Sequence, residues 1–334
     1  MATDARNDEH SLSIVIPVYQ GERTLSGVLA EIAPFASRST TAGGVNYRVT
    51  EVVLVYDNGS DASDVVIRQL VEQYEFVRPV WLSRNYGQHA ATLAGFASSS
   101  GDWVVTLDED GQQDPSEIQV LLDAAIAKRA QVVYGKPLNP PPHGAFRNAA
   151  SRGAKGLINR FFVGPNAQDF NSFRLILGSV ARGLAAYSGS GVYLDVALGW
   201  IAGSYATAPV TLRSEDRESG YSLRRLLSHF WRLVISSGTR GLRVVSVLGV
   251  ALAALGLLFT AWIIIVKLTT GIDAEGWAST NVIILMSSGA ILFSLGIVAE
   301  YVGVNVNMAM GRPAYVITSD SQDGPLGMSR RERE

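Results

Sequence analysis

The chain has no cysteine in its 334 residues, which removes disulfides, thiolate nucleophiles and zinc-thiolate sites from its chemistry. Histidine is scarce, with four residues, and neither His89 nor His143 has a partner at ligand spacing, so no histidine metal centre is expected. Charged residues make up 17% against 47% hydrophobic, an apolar balance that points to lipid contact. The formal net charge of -2 supplies no basic field, so no nucleic-acid partner is expected. No Gly-x-Gly-x-x-Gly follows the first apolar strand, which excludes a Rossmann dinucleotide site. Residues 1–11 are polar and lack the apolar core of a cleaved secretory signal, and are expected to form a flexible N-terminus.

Against this shortage of charge stand two long apolar runs. Val244 to Val266 is uncharged over 23 residues, enough at about 1.5 Å per residue to cross a hydrocarbon core of roughly 30 Å. Val282 to Ala299 is uncharged over 18 residues and carries Gly and Ser suited to close helix packing. Spans over about 244–266 and 280–303 therefore form an expected two-helix anchor within 244–304. Its link, Thr269 to Trp277, holds Asp273 and Glu275, whereas Arg240 and Arg243 precede the first span and Arg312 follows the second; Lys267 is the exception. The balance is expected to place the domain ahead of the anchor and both termini in the cytoplasm of a multi-pass membrane protein. Residues 221–243 mix Arg224, Arg225, Arg232 and Arg240 with Phe230 and Trp231, as interfacial amphipathic helices at a lipid headgroup layer would. Residues 305–334 read as a cytoplasmic tail, charged and disordered from Ser319 onward.

Ahead of the anchor, residues 12–220 alternate apolar strands (Ser13 to Val18, Glu51 to Tyr56, Arg78 to Leu82, Trp103 to Leu107, Gln131 to Tyr134) with helical patterns. Helices are expected over Thr24 to Ala33, Asp61 to Tyr74, Gln88 to Ser98 and Pro115 to Ala127. The repeated β-α order predicts an α/β domain with a mainly parallel sheet, whose ligands bind beyond the carboxyl ends of the strands. The proline run Pro140 to Pro142 is expected to open a second subregion rather than an independent domain.

The fifth strand delivers Asp108, Glu109 and Asp110 to its carboxyl end, followed by Gly111 and Gln112. Carboxylates at alternate positions there can hold a hard divalent cation whose remaining positions take diphosphate oxygens. Asp57 stands at the corresponding end of the second strand, with Ser60 or Asp61 placed to cap the next helix. Pro17, Tyr19 and Glu22 occupy the end of the first.

Five elements in this order carry a resemblance over nearly the whole chain: Ile16-Pro17-Val18-Tyr19; Asp57-Asn58-Gly59-Ser60; Ser83-Arg84-Asn85-Tyr86-Gly87; Asp108-x-Asp110-Gly111-Gln112; and Ala299-Glu300-Tyr301-Val302-Gly303 followed by Arg312-Pro313. The chain resembles the glycosyltransferase family 2 branch that includes dolichol-phosphate mannose synthases and bacterial polyprenyl-phosphate glycosyltransferases. The resemblance implies a GT-A fold, a Mg²⁺ or Mn²⁺ cofactor, a nucleotide-sugar donor (UDP- or GDP-linked), a polyprenyl-phosphate acceptor and inversion at the anomeric carbon. It assigns Pro17, Tyr19, Glu22 and Asp57 to the nucleoside pocket. Asp108 and Asp110 go to ribose or diphosphate and metal, with Asp110 the more direct ligand, and Gln112 to the donor sugar or reacting phosphate. Arg84 either supports the donor loop or makes an ordinary salt bridge. For the lipid phosphate it offers Lys136, Arg147, Arg152, Ser172, Arg174 and Arg217, with Arg213 behind them. Asp195 stands where many GT-A enzymes place an acceptor-side acid, and could instead orient the acceptor or cap a helix.

Some positions depart from the family pattern. Asn58 replaces a second Asp, Glu109 replaces a small residue and adds charge near the metal, and Asp169 to Arg174 lacks one residue of the usual spacing. After Arg217-Glu218-Ser219-Gly220-Tyr221-Ser222, Arg224 stands where a Tyr is usual. Other readings are a family 2 transferase with a glycolipid or polysaccharide acceptor, or a noncatalytic membrane scaffold. Paired membrane anchors would also permit a homo-oligomer.

Overall fold

The computed structural model describes residues 9–138, 170–189, 193–213 and 276–322, together with scattered positions between 249 and 269. The elements are β1 (Glu9–Val18), α1 (Leu25–Ile32), β2 (Ser39–Thr40), β3 (Asn46–Tyr56), α2 (Ser63–Gln73), β4 (Val77–Leu82), α3 (Gln88–Ser98), β5 (Trp103–Thr106), α4 (Ile118–Lys128), β6 (Val132–Pro137), β7 (Arg174–Leu177), α5 (Gly178–Tyr187), α6 (Leu194–Ile201), β8 (Tyr205–Val210), α7 (Trp277–Ala309) and β9 (Ile317–Thr318). The chain divides into two units. One holds residues up to Asn148, Asn166–Tyr221 and Pro313–Glu334; the other holds Ala149–Pro165 and Ser222–Arg312.

The strands of the first unit form one sheet in the order β8-β6-β7-β5-β1-β3-β4-β9, with β2 paired to β3. β1 pairs in parallel with both β3 and β5, and β3 with β4. This parallel core arises where β-α units follow one another directly. The sheet as a whole is mixed. β7 enters between β5 and β6 antiparallel to both, and β9 lies antiparallel on β4. The mainly parallel expectation is corrected to that extent.

Both faces of β1 are covered. Leu12, Ile14, Ile16 and Val18 pack with α1 and α4, while Val15 packs with Val53, Val55 and the α3 residues Ala91, Ala94 and Phe96. The pairing of β1 with β3 shifts between Leu12 and Ser13, adding one residue to β3. That insertion reverses the alternation, so Tyr47 and Val49 share a core with Val52, Leu54 and Tyr56. Helix α3 lies close on the sheet at Gly95, where a Cβ would stand 2.2 Å from Val15 Cγ1.

Glu51, buried in the middle of β3, accepts hydrogen bonds from Ser13 Oγ (2.6 Å), Ser100 N–H (2.5 Å) and Ser100 Oγ (2.8 Å), and pairs with Arg78. Burial pushes its carboxyl up, but these bonds outweigh it and hold it below the usual range. Its stabilisation is therefore present above its unfolded value of about 4.3 and is lost as pH falls through the lower folded value. Glu51→Gln should cost about 2–3 kcal/mol at neutral pH. The gap from wild type should narrow in acid, as read by urea unfolding across pH.

The second unit contains α7, whose segment Met286–Gly303 has a mean hydropathy of 1.4 and is not buried within the protein. It is the one helix among the described residues long and apolar enough to cross a membrane. At 33 residues it runs about 50 Å, beyond the expected 280–303. The expected first span and the interfacial helices over 221–243 lie outside the described residues or fall on scattered positions. After α7 the chain rejoins the sheet. β9 pairs with β4, and Asp320 takes a bidentate bond from Arg68 at 2.6 and 2.8 Å. Disorder from Ser319 onward is thus corrected for Ser319–Gln322: the chain there is held by an ion pair that composition does not reveal.

Candidate active site

The parallel strands β1, β3 and β5 end at one edge of the sheet, bringing Tyr19, Asp57 and Asp108 to that edge. Directly after β3, Asn58 takes a positive φ of 54°. Gly59 then passes so close to β1 that a Cβ would stand 1.7 Å from the Tyr19 carbonyl oxygen. Only glycine fits that approach. Asp61 caps the following turn, accepting from Ser63 N–H and Oγ at 3.2 and 2.7 Å and from Glu22 N–H at 3.1 Å. Glu22 in turn accepts from Ala62 N–H at 3.2 Å. Tyr19 is 40% exposed, and Pro17 is half-buried beside it.

Asp57 is buried and acts on the loop Ser83–Gln88. Its two oxygens accept from Tyr86 N–H (2.7 Å) and Gly87 N–H (2.8 Å). Burial raises its carboxyl above the usual range against those bonds and Arg84. Arg84 stacks on the Tyr86 ring at 4.2 Å, a cation-π contact within the same loop.

Asp108 is held from three sides. Gln88 Nε2 donates to Oδ1 at 2.7 Å, Gln113 Nε2 to Oδ2 at 2.8 Å, and Ser172 Oγ also to Oδ2. The Asp108 N–H donates back to Gln113 Oε1 at 2.9 Å. Burial pushes this carboxyl up as well. Asp110 is exposed, and its Oδ1 accepts from Gln112 N–H at 3.0 Å. Glu109 points elsewhere: it accepts from Tyr19 N–H at 2.9 Å and from Gln20 N–H at 3.0 Å, tying β5's exit to that of β1. Burial, joined by the charges of Asp61 and Asp110, pushes the Glu109 carboxyl up against those two backbone donors.

Arg174 and Asp195, assigned from the resemblance to the lipid phosphate and the acceptor side, are brought together and buried. Arg174 Nη1 donates to Asp195 Oδ1, and Nε donates to Thr106 Oγ1 at 3.1 Å. Burial raises the Asp195 carboxyl, while the guanidinium opposes the rise. Tyr134 bonds the same carboxylate, and burial raises its phenol. Ser172 faces Asp108, as above. Arg213, behind the others as a phosphate candidate, is forked between Glu31 (2.8 and 2.9 Å) and Asp114 (2.9 Å). Lys136 is exposed at the end of β6. Arg147, Arg152 and Arg217 lie outside the described residues.

Gln88 adjoins the Ser83–Gly87 motif and Gln113 the Asp108 cluster, but their bonds to Asp108 and the clamping role of Glu109 have no signal in the sequence. Among the described residues no group of three or more His, Asp or Glu side chains forms a metal cage. Two carboxylates at a strand end suit a cation that draws most ligands from phosphate and water.

The glycosyl transferase family 2 model matches residues 13–187. The undecaprenyl-phosphate 4-deoxy-4-formamido-L-arabinose transferase of Edwardsiella ictaluri (strain 93-146) is 32% identical over 315 residues, spanning 92% of this chain and 93% of the relative. The protein of that name from Aeromonas hydrophila subsp. hydrophila is 30% identical over 319 residues, with 92% of each chain covered. Among solved structures, glucosyl-3-phosphoglycerate synthase from Mycobacterium tuberculosis aligns with a TM-score of 0.50 at 17% identity, over 69% of this chain and 80% of that one. The last is a likeness of fold alone, and it makes the mixed α/β sheet GT-A-like. From the family match and the relatives' full-length similarity, the chain belongs to glycosyl transferase family 2.

Proposed function

We propose that this chain transfers one sugar from a nucleotide-sugar donor, UDP- or GDP-linked, to the phosphate of a polyprenyl-phosphate lipid at the cytoplasmic face of a membrane. The observation that carries the reading is the convergence of Asp57, Asp108 and Asp110 with the Ser83–Gln88 loop at one sheet edge. The curated relatives are named as undecaprenyl-phosphate sugar transferases, and α7 carries a membrane-length apolar segment. Both support a lipid acceptor.

In this reading Pro17, Tyr19 and Glu22 border the nucleoside, and Asp57 holds the loop beneath it. Asp110, with Asp108 beside it, would hold Mg²⁺ or Mn²⁺, which when bound supplies charge neutralisation for the departing diphosphate. A family-fold neighbour was solved with Mn²⁺ and UDP-glucose, which is that protein's chemistry and supports the donor class. Asp108 also fixes Gln88 and, through Gln113, the turn that presents Gln112 to the donor. An acceptor phosphate oxygen attacks the anomeric carbon. The new carbon-oxygen bond forms as the bond to the nucleoside diphosphate breaks on the opposite face, so configuration inverts. The phosphate is already anionic near neutral pH, its second ionisation lying near 6, so no strong general base is needed. Lys136, Arg147, Arg152 and Arg217 are the basic groups proposed to hold that phosphate. Arg174 and Asp195 position β7 and α6 from inside the fold. The anchor of 244–304, interfacial helices over 221–243 and cytoplasmic termini remain part of the proposal.

The test is acceptor competition in full-length protein reconstituted into vesicles, with labelled UDP- and GDP-sugars and either polyprenyl phosphate or diacylglycerol. Label should enter the phosphate-bearing lipid and depend on divalent cation. Transfer to diacylglycerol alone would overturn the acceptor, and loss of cation dependence would overturn the metal.

A further inference from the structure

The strand that follows the membrane-length helix has no part in the reaction as described, yet it is attached to the donor loop. β9 adds to the outer edge of β4, with Thr318 opposite Trp81 and Ile317 opposite Leu82. One residue further, Ser83 N–H donates to the Val316 carbonyl at 3.0 Å. Ser83 begins the loop whose Tyr86 and Gly87 amides are held by Asp57 and whose Gln88 is held by Asp108. Inside that loop Ser83 Oγ lies 2.9 Å from Tyr86 Oη. Tyr315 packs half-buried against the core that contains Leu82 and Phe96. Beyond the strand, Asp320 takes a bidentate bond from the Arg68 guanidinium, which also donates to Asp64 at 3.1 Å and lies 5.0 Å over the Trp81 ring of β4. The segment is therefore fastened at both ends. Main-chain pairing secures its start, and a bidentate ion pair secures its end.

A loop fixed only by its far residues can still pivot at Ser83, because an edge strand with unpaired amides is free to fray. We propose that Tyr315–Asp320 is a positioning segment: by closing the β4 edge and bonding Ser83, it holds the Ser83–Gln88 loop in the conformation that binds the donor. The chain leaving α7 thereby sets donor affinity. The proposal rests on the reading of that loop as part of the donor site.

Two measurements on full-length protein in vesicles or nanodiscs separate the two ideas. Amide exchange over Ser83–Gln88 without ligand reports the loop, and titration with UDP or GDP plus Mn²⁺ reports the donor site. The variants are Asp320→Ala, Asp320→Glu and a chain ending at Ala314, each checked for a native melting transition. Asp320→Ala and the shortened chain should exchange faster over Ser83–Gln88, and should bind nucleotide and show a donor KM about three- to thirtyfold weaker with kcat unchanged. Asp320→Glu should restore both. Unchanged loop exchange in Asp320→Ala and in the shortened chain would overturn the proposal, as would faster exchange with unaltered nucleotide affinity. Should wild-type protein bind neither nucleotide while the loop still loosens in the variants, the link from tail to loop stands and the donor-site reading fails.

Discussion

Asp110→Asn is expected to lower kcat about a hundred- to a thousandfold, the scale on which a preorganised charge at a reacting centre acts, while the protein melts as wild type does. The two outcomes separate because Asp110 is exposed and its Oδ1 accepts a local hydrogen bond from Gln112 N–H at 3.0 Å. An asparagine keeps the size and an acceptor oxygen for that bond, so the turn is preserved and only the charge is lost. Adding Mn²⁺ above the wild-type optimum should recover part of the rate. Asp108→Asn is different in kind: Asp108 already accepts from Gln88, Gln113 and Ser172, and a carboxamide would oppose one of those donors with another. Its rate loss should therefore come with a lower melting temperature. Steady-state kinetics and calorimetric melting on the same preparations distinguish the two.

Arg174→Ala and Asp195→Ala are each expected to cost about 3–5 kcal/mol of stability, because each leaves its partner charged and buried. Both side chains are almost wholly enclosed, and they bond each other as well as Thr106 and Tyr134. A double replacement by apolar residues of similar volume, Arg174→Met with Asp195→Leu, should recover much of that loss, since removing both charges removes the desolvation cost along with the attraction. Urea unfolding provides the measurement. Direct roles in acceptor binding would predict the reverse pattern: near-native stability, activity lost in both single variants, and no recovery in the double.

The legible part of this protein is the part built from local units. The runs at Ser13 to Val18, Glu51 to Tyr56 and Trp103 to Leu107 are continuous and apolar because those strands are covered on both faces, and each ends in a residue with conspicuous chemistry. β7 and β8 carry no such pattern. The first has four residues beginning with a buried arginine, and the second, Tyr205–Val210, is rich in alanine and contains a proline. Their place in the sheet depends on partners far off in sequence. The same cause hides Glu109's hold on Tyr19 and Gln20, the Arg174–Asp195 pair, and Asp320's reach back to Arg68 across 252 residues. A carboxylate in a motif announces a charge; which neighbour consumes it is decided by tertiary packing.

Transfer to a lipid phosphate is tested most directly by the mass and anomeric NMR signals of the lipid product formed when purified full-length protein is given undecaprenyl phosphate, a divalent cation and the sugar nucleotide it binds. The expected product is a glycosyl phosphate lipid, one sugar per lipid, of inverted anomeric configuration and absent with Asp110→Asn. A product bearing its sugar on a lipid hydroxyl, a polymer, or retained configuration would contradict it.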